Sequence, residues 1–445
     1  MEAWLKGKKR KSGSISEQPP GEENESTDVK LAILASLFPN VGQEALLECL
    51  LEHDGSVDAA SRALSYEPPR EDRKSQNRAV LGPQTSLRLY SSAPSDGPQF
   101  TSPKKAKSMS KRGATLHLYD PYDIAQHTPC SIIHNFLPSD VANDLLRELL
   151  EESVTFEKIT FKLFDNVVQS PHTSTFYVET DEELNIQKHE YFYNGARLTD
   201  VRRITAELLR VKPLVQEGVN KEIEKRIKTK YPNREKLRFQ SPDTWKPNAA
   251  FVNCYDGPQQ NVGYHSDQLT YLGPRAVIGS LSLGVAREFR VRRVVPKDAN
   301  NSGSEDADLE GQIAIHLPHN SLLVMHAEMQ EEWKHSIAPA QAIDPHPIAG
   351  NRRINVTYRD YKANLHPKFT PKCKCSIPAV LKVVQKRKEN YGKYFWMCHG
   401  GYIPGKENCS FFQWADFDDN GNPSWDKDKY KKGPQNSAAV SAREP

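Results

Sequence analysis

The chain is poor in cysteine, in long apolar runs and in net charge, and each shortage excludes something. Seven cysteines among 445 residues, four of them crowded between 373 and 409, are too few and too clustered for a disulfide framework, so a reducing compartment is expected. No apolar stretch approaches ~18 residues, so neither a membrane span nor a membrane partner is expected. Residues 1–11 are charged with no apolar stretch behind them, which does not suit a secretory signal. Lys and Arg number 60 against 57 Asp and Glu, a net charge of +3. That excludes a uniformly basic protein but leaves room for local basic patches. Hydrophobic residues make up 37%, and even with the 24 glycines the apolar share stays under the ~45–50% of an ordinary globular chain. At ~100–200 residues per domain, two to four domains are expected, joined and flanked by segments too polar to bury a core.

The composition divides accordingly. Residues 1–25 form a polar tail with a basic block, Lys8-Lys9-Arg10-Lys11. In 26–65, a capping Ser26-Thr27-Asp28 precedes Val29, Ala32, Ile33 and Leu37 at helical spacing. Phe38-Pro39 breaks that helix. A second apolar run (Ala45, Leu46, Cys49, Leu50) and a third (Val57, Ala60, Leu64) follow, enough for a small three-helix bundle. The Leu37-Phe38-Pro39 break, Gly55, Ala60 and Leu64 resemble the CUE domain. That resemblance implies ubiquitin as a partner, through Phe38, Pro39 and Leu64, although the family's terminal di-leucine is Leu64-Ser65 here. Residues 66–115 hold six prolines, ten Lys/Arg and four Asp/Glu; they read as a disordered linker. A second basic block spans 103–112.

From 116 to 365 the composition is globular. Amphipathic helices are expected after Pro138 (Val141, Leu145, Leu146, Leu149) and along Val215, Val219, Ile223 and Ile227. After Pro247 the period shifts to two, and strands are expected over 249–255, 276–283, 288–294, 321–325 and 353–361. Helices first and strands afterwards suggest an α+β fold with a β-sandwich or jelly-roll core. Residues 297–311 form an acidic, Gly/Ser-rich insertion.

The chemistry concentrates in this region. In extended backbone His265 and Asp267 point the same way. With His335 they offer two imidazoles and a carboxylate, a facial set that leaves positions open on an octahedral iron. A zinc hydrolase could use the same residue types. Arg353, Asn355, Thr357 and Arg359 share one face of a strand, and Ile354, Val356 and Tyr358 the other. Two guanidinium groups facing into a sheet are costly unless they meet anions. A small dicarboxylate such as 2-oxoglutarate suits them, because Arg grips carboxylates bidentately. Asn253 and Tyr255 share a face and can add hydrogen bonds.

At Asn253-x-Tyr255, His265-x-Asp267, Ser280-Leu-Ser-Leu-Gly284, His335 and Arg353-x-Asn355-x-Thr357-x-Arg359, the chain resembles the AlkB family of iron- and 2-oxoglutarate-dependent dioxygenases. The resemblance implies a double-stranded β-helix, with His265, Asp267 and His335 holding Fe(II). It implies Arg353 on the distal carboxylate of 2-oxoglutarate, Arg359 near the 1-carboxylate or the substrate, and Asn253, Tyr255 and Asn355 assisting. His335 is preferred to His326 because Trp333-x-His335-x-Ile337 precedes the arginine strand as in the family. The implied reaction consumes 2-oxoglutarate and O2 to hydroxylate an N-methyl group on a base, which leaves as formaldehyde. A base buried in a duplex must be flipped out or already single-stranded. The family's base-binding lid corresponds to 175–177 and 191–195, so Phe176, Tyr177 and Tyr193 are candidate substrate contacts. Where many relatives carry acidic residues after the His-x-Asp pair, this chain has Gln268-Leu269.

Cys373, Cys375, Cys398 and Cys409 suit a tetrahedral Zn(II). With Gly392-Lys393-Tyr394-Phe395 and Cys409-Ser-Phe411-Phe412-Gln413-Trp414, residues 371–418 resemble the GRF zinc finger, whose Gly-Arg-Phe is Gly-Lys-Tyr here. Eight Lys/Arg against one acid between 366 and 399 make a basic, aromatic-interleaved surface suited to single strands. Lys382, Lys386, Arg387, Lys388, Lys393 and Phe395 are the candidate nucleic-acid contacts. Residues 419–445 read as a disordered tail. The expectation is a nuclear DNA dealkylase tethered to single-stranded DNA. An RNA demethylase and a non-catalytic scaffold joining ubiquitin to single-stranded DNA are the alternatives.

Overall fold

The computed structural model describes Leu34, residues 43–53, Ser56, Ala60 and Ala63, then 114–163, 166–193, 197–296, 311–403 and 405–426. The chain divides into two compact units, Met1–Gly82 and Pro83–Pro445. In the first, helix α1 (Gln43–Glu52) buries Leu46 and Leu50 with Leu34 and Ala60, and Leu47 and Cys49 border them. The i, i+4 spacing of Leu46 and Leu50 puts both on one face. Phe38, Pro39 and Leu64 lie outside the described residues, as do the two basic blocks and residues 297–310.

The second unit opens with β1 (Thr115–Leu118), β2 (Cys130–His134), β3 (Thr160–Leu163), β4 (Asn166–Gln169), β5 (Thr173–Val178), β6 (Val201–Arg203) and β7 (Ala249–Asp256). It continues with β8 (Val262–His265), β9 (Ile278–Gly284), β10 (Arg287–Arg293), β11 (Gln312–Leu317), β12 (Ser321–Met325), β13 (Trp333–Ile337) and β14 (Arg352–Arg359). Five of these form one sheet in the order β1-β11-β10-β13-β8, and seven form another, β2-β12-β9-β14-β7-β5-β6. Helices α2 (Pro121–His127), α3 (Ser139–Glu152), α4 (Asp181–His189), α5 (Ala206–Lys230) and α6 (Met329–Glu332) interleave with them.

The period of two sorts the side chains into layers. From β9 and β12, Ile278, Leu323 and Met325 enter the core shared with Phe289, Val291 and Ile315 of the five-stranded sheet. Their neighbours Leu281, Leu283, Leu322 and Val324 face the other way, into the core formed with α3 and α5. The helices qualify because Val141, Leu145, Leu146 and Leu149 on α3, and Leu208, Val211, Val215 and Val219 on α5, recur on one stripe. Close approach of α5 to the sheet requires Gly279, where a Cβ would come within 2.9 Å of Val219. The result is helices on a seven-stranded sheet on a five-stranded sheet, the jelly-roll core expected, with the strands at 353–361 and 321–325 observed at β14 and β12. The strands β1 to β6 were not foreseen; they are short and mixed with turns, so they carry little periodic signal.

The C-terminal part adds β15 (Val380–Val383), β16 (Tyr394–Met397) and β17 (Phe412–Trp414) as a separate small sheet. It is not a loosely tethered domain. Ala379, Leu381, Tyr394, Trp396 and Phe417 belong to the same apolar core as the catalytic sheets. The backbone N–H of Leu381 donates to Thr270 Oγ1 at 3.1 Å. The expected tail from 419 also needs correcting over its first part: Asp419 accepts from the N–H of Phe239, and Trp425 Nε1 donates to the Asn364 carbonyl at 2.9 Å. One indole and one turn suffice to dock a polar stretch that composition alone reads as unfolded.

Candidate iron and cosubstrate centre

Register assembles the triad. In the antiparallel pair β13 and β8, His335 lies opposite His265, and their rings are 4.2 Å apart between centroids. Asp267 follows just past the end of β8, where its N–H donates to Gln330 Oε1 at 2.7 Å. Its Oδ1 is 3.7 Å from His265 Nε2 and 3.5 Å from His335 Nε2. Its Oδ2 accepts from Arg359 Nη2 at 2.7 Å and Nε at 3.2 Å. One donor atom from each of the three residues falls within 4.8 Å of the others.

The protonation states suit a metal. His265 Nδ1 lies 2.8 Å from the Gly263 carbonyl; a proton held there leaves the Nε2 lone pair facing the centre. Desolvation, with His335 beside it, holds the His265 ring down at about 4, so it is neutral at neutral pH. Burial works to raise Asp267, but Arg359 and the two imidazoles hold its carboxyl well below the usual carboxylate range. Arg359 was expected at the cosubstrate's 1-carboxylate or the substrate; the structure pairs it with the carboxylate of the triad.

The triad opens into a cavity of about 120 Å³, many times the ~10–15 Å³ that one water needs. Arg353, Asn355, Thr357 and Arg359 line it from β14, with Asn253 and Tyr255 from the adjacent β7. Ile354, Val356 and Tyr358 turn to the helices. Arg353 is 1% exposed. Its Nη2 donates to Ser282 Oγ and Asn355 Oδ1, its guanidinium lies 5.3 Å from the Tyr255 ring centroid, and burial depresses it to about 10. Its Nε and Nη1 have no partner, nor has Asn253 Oδ1. Two unpartnered donors on a buried guanidinium fit a carboxylate ligand, since an unpaired buried charge is otherwise costly.

Residue spacing missed other members of the cavity. His172, which no motif singles out, is buried, stacked on Tyr255 at 4.7 Å, and lines the cavity. Phe251 lines it too. His326, the rival to His335, is buried with its Nε2 2.9 Å from Ser131 Oγ and stands apart from the triad. A further group, His117, Glu288 and His316, satisfies itself: the rings' nitrogens are 3.2 Å apart and Arg290 holds the carboxylate.

The lid candidates divide. Tyr177 faces the helices, with its hydroxyl on Glu152 at 2.7 Å; the strand period that sends Phe176 inward sends its neighbour away. Phe176 packs against Tyr193, Phe251 and Tyr361, and Tyr193 donates to Gln187. Leu269 is buried, and Gln268 Nε2 donates to Thr270 Oγ1 at 3.1 Å.

Residues 129–359 match the 2OG-Fe(II) oxygenase superfamily. The chain belongs to that superfamily. Its AlkB-like domain is accompanied by a match to the CUE domain over 27–68 and to the GRF zinc finger over 371–418. Similar proteins include "Alpha-ketoglutarate-dependent dioxygenase alkB homolog 3" of Rattus norvegicus, 32% identical over 112 residues, which are 25% of this chain and 35% of that protein. "DNA oxidative demethylase ALKBH2" of Arabidopsis thaliana is 30% identical over 122 residues, 25% of this chain and 37% of that protein. The chain thus spans little more than a third of the length of these relatives. As an oxygenase of this superfamily it uses Fe(II) and 2-oxoglutarate, and the residues above fit both.

The finger's Cys373, Cys375, Cys398 and Cys409 bring their sulfurs within 4.8 Å of one another. Backbone N–H groups of Gly400 and Cys409 donate to Cys398 Sγ, which favours thiolates for Zn(II). His399 is buried against Tyr402 and is not among them. Phe395 stacks on Phe412 at 5.2 Å, Lys393 lies over Trp414, and Lys382 lies over Tyr402. Lys386, Arg387 and Lys388 are exposed. Phe412 and Trp414 stand 53% and 48% exposed; the sequence placed both in the finger but gave neither a binding role.

Proposed function

We propose that the protein oxidatively removes alkyl groups from the bases of nucleic acid, DNA before RNA, acting on single-stranded or flipped bases. The observation that carries the nucleic-acid reading is the aromatic ledge of exposed Phe412 and Trp414 with half-buried Phe395 behind them, edged by Lys393, in the same compact unit as the triad. Buried rings would be packing; exposed ones beside lysine form a stacking platform for bases, worth ~1–3 kcal/mol per base. The similar proteins, named as a dioxygenase and a DNA oxidative demethylase, support the same chemistry.

His265, Asp267 and His335 would hold Fe(II), and Arg353 with Asn253 and Tyr255 would hold 2-oxoglutarate. Bound there, the metal would let O2, the oxidant, put one oxygen on an N-alkyl carbon and the other on 2-oxoglutarate, which leaves as succinate and CO2. The protein's own work is positional. Arg359 keeps Asp267 ionised and aimed, Gly263 fixes the His265 tautomer, and Phe289, 5.3 Å from the His335 ring, helps dry the pocket. The test is formaldehyde release, with Fe(II) and 2-oxoglutarate, across methylated DNA and RNA oligomers. Wild type above His265→Ala on single-stranded DNA supports the proposal; equal background on every oligomer ends it. Higher turnover on matched RNA than DNA would select the RNA alternative. One zinc and no second metal after anaerobic Fe(II) loading would select the scaffold.

Two accessory roles complete the proposal, the first resting on the CUE match and the second on the basic blocks alone. The CUE region would bind ubiquitin through Phe38, Pro39 and Leu64; the absence of NMR shifts at millimolar ubiquitin would remove that role. The basic blocks at 8–11 and 103–112 would direct nuclear entry; a fluorescent fusion that stays outside the nucleus would remove that one.

A further inference from the structure

Several cations beside the sheets are neutralised: Arg226 by Glu328, Arg275 by Glu332, Arg290 by Glu288, Arg359 by Asp267. A cluster of four at one edge is not. On β10 and β13, Arg292 lies directly opposite Lys334 in register, a like-charge pairing that destabilises a sheet. From the finger, Gln385 donates to the carbonyls of Gln330 and Glu331, both at 3.0 Å. That seam brings Lys382 on β15 and Lys386 just after it to the same edge. The charges of Lys382, Lys386 and Arg292 all lie close enough to act on the Lys334 amine. Among the described residues, no carboxylate forms an ion pair with any of the four.

Their position matters as much as their charge. Lys334 Nζ donates at 3.0 Å to the hydroxyl of Ser266, the residue between His265 and Asp267. It precedes His335 on β13, so the strand that presents one ligand inward presents this cation outward. The His265 side chain is 40% exposed, and it sits on β8, the edge strand that pairs with β13.

We propose that Arg292, Lys334, Lys382 and Lys386 form a phosphate seat, built jointly by the oxygenase sheet and the finger, that grips the backbone of a single strand beside the iron centre. The seat rests on the nucleic-acid reading above and deepens it: the finger is the other half of a continuous track, fixed to the catalytic core, rather than a free tether. It gives a physical use to a like-charge cluster that costs stability in the free protein, because backbone phosphates supply the missing anions.

The test is binding of a fluorescein-labelled single-stranded 12-mer to the full chain, by anisotropy over a salt series. A single-strand contact contributes ~0.7 to the slope of log affinity against log salt. Lys334→Gln with Lys386→Gln should therefore lower the slope by about 1.4, and Lys334→Arg with Lys386→Arg should retain it. Phe412→Ala should weaken binding with little change of slope, because stacking releases no counterions. An unchanged slope in the Gln pair overturns the seat. So does a slope lost equally in the Arg pair, since charge would then not be what counts. Polyglutamate displacing the 12-mer as well as an unlabelled 12-mer does also overturns it, by making the surface a general anion patch. Formaldehyde release from the same methylated 12-mer reads the activity separately. Binding with the full charge-dependent slope but no demethylation would keep the seat and remove the proposed reaction. Demethylation with an unaltered slope in the Gln pair would keep the reaction and remove the seat.

Discussion

The triad and the four-cysteine cluster are both sites for a cation, but the chain prepares them differently. The triad sits where two sheets meet. His265 and His335 face each other by strand register, and the Asp267 carboxylate is held by Arg359 on a third strand. The cysteines lie on turns flanking four- and three-residue strands, Cys375 is exposed, and the sulfurs have mainly each other. The first centre is organised by the fold around it; the second organises its own fold. The finger's inner face complicates that contrast, because Leu381, Tyr394 and Trp396 are buried in the oxygenase's core.

The largest effect should come from Arg359→Met. Removing one partner of a buried ion pair costs ~3–5 kcal/mol, and Asp267 would then face two imidazoles without its counterion. Thermal unfolding should drop accordingly. Co(II) affinity at the triad should fall by about two orders of magnitude, the upper range for loss of a group that orients a ligand. Zinc in the finger should stay at one equivalent. Zinc lost alongside would mean the two centres are not separately prepared.

Cys398→Ser should break the other side. Zinc content should fall, and the second unit should melt in one transition moved down by roughly 5–10 °C. One transition is expected because the finger's apolar residues are shared with the oxygenase core. An early transition for the finger followed by an unshifted one would show that the shared core is not cooperative.

Arg353→Met separates binding from stability within the first centre. Replacing a buried guanidinium that has only its Nη2 satisfied with an apolar chain of similar length should leave the cosubstrate-free protein unchanged or stabilised by about 1–4 kcal/mol. Affinity for 2-oxoglutarate, measured by calorimetry, should collapse. Loss of both would place Arg353 among the structural residues instead.

Legibility followed the same divide. Residues spaced by the strand period could be placed on a face without coordinates: His265 with Asp267, and the alternation from Arg353 to Arg359. The four cysteines were legible through residue type and clustering. What could not be read were contacts between residues remote in sequence. Arg359 meets Asp267 across 92 positions, a pairing that no spacing in the sequence announces. His172 reaches the cavity by stacking on Tyr255, with no motif around it. Tyr177 was legible in principle, since it could not share a face with Phe176. The docking of the finger was hidden because Leu381 and Trp396 look equally at home in a small core of their own.

At the seam between the two regions, Glu331 is buried with the Tyr394 hydroxyl and the Arg275 N–H on its Oε1. Burial, opposed in part by Arg275, raises it to about 7, above the ordinary 4.5. A carboxyl raised on folding binds more protons in the folded state, so stability falls as pH rises from about 4.5 to about 7. Amide exchange in β16 should be faster at pH 8 than at pH 5.5 after correction for intrinsic rates. Glu331→Gln, neutral throughout, should flatten that difference.

The smallest change expected is the one that tests whether the seam carries information. Gln385 holds the carbonyls of Gln330 and Glu331, and the Gln330 side chain holds the N–H of Asp267. Gln385→Ala removes two hydrogen bonds but leaves carbonyls that water can reach at a half-buried site, so the stability cost should be only about 1 kcal/mol. If the chain of contacts positions the carboxylate, Co(II) affinity at the triad should still fall several-fold, with zinc in the finger unaffected. Unchanged Co(II) affinity would leave Gln385 as simple glue between two packed surfaces, and the preparation of the triad would belong to Arg359 and the sheets alone.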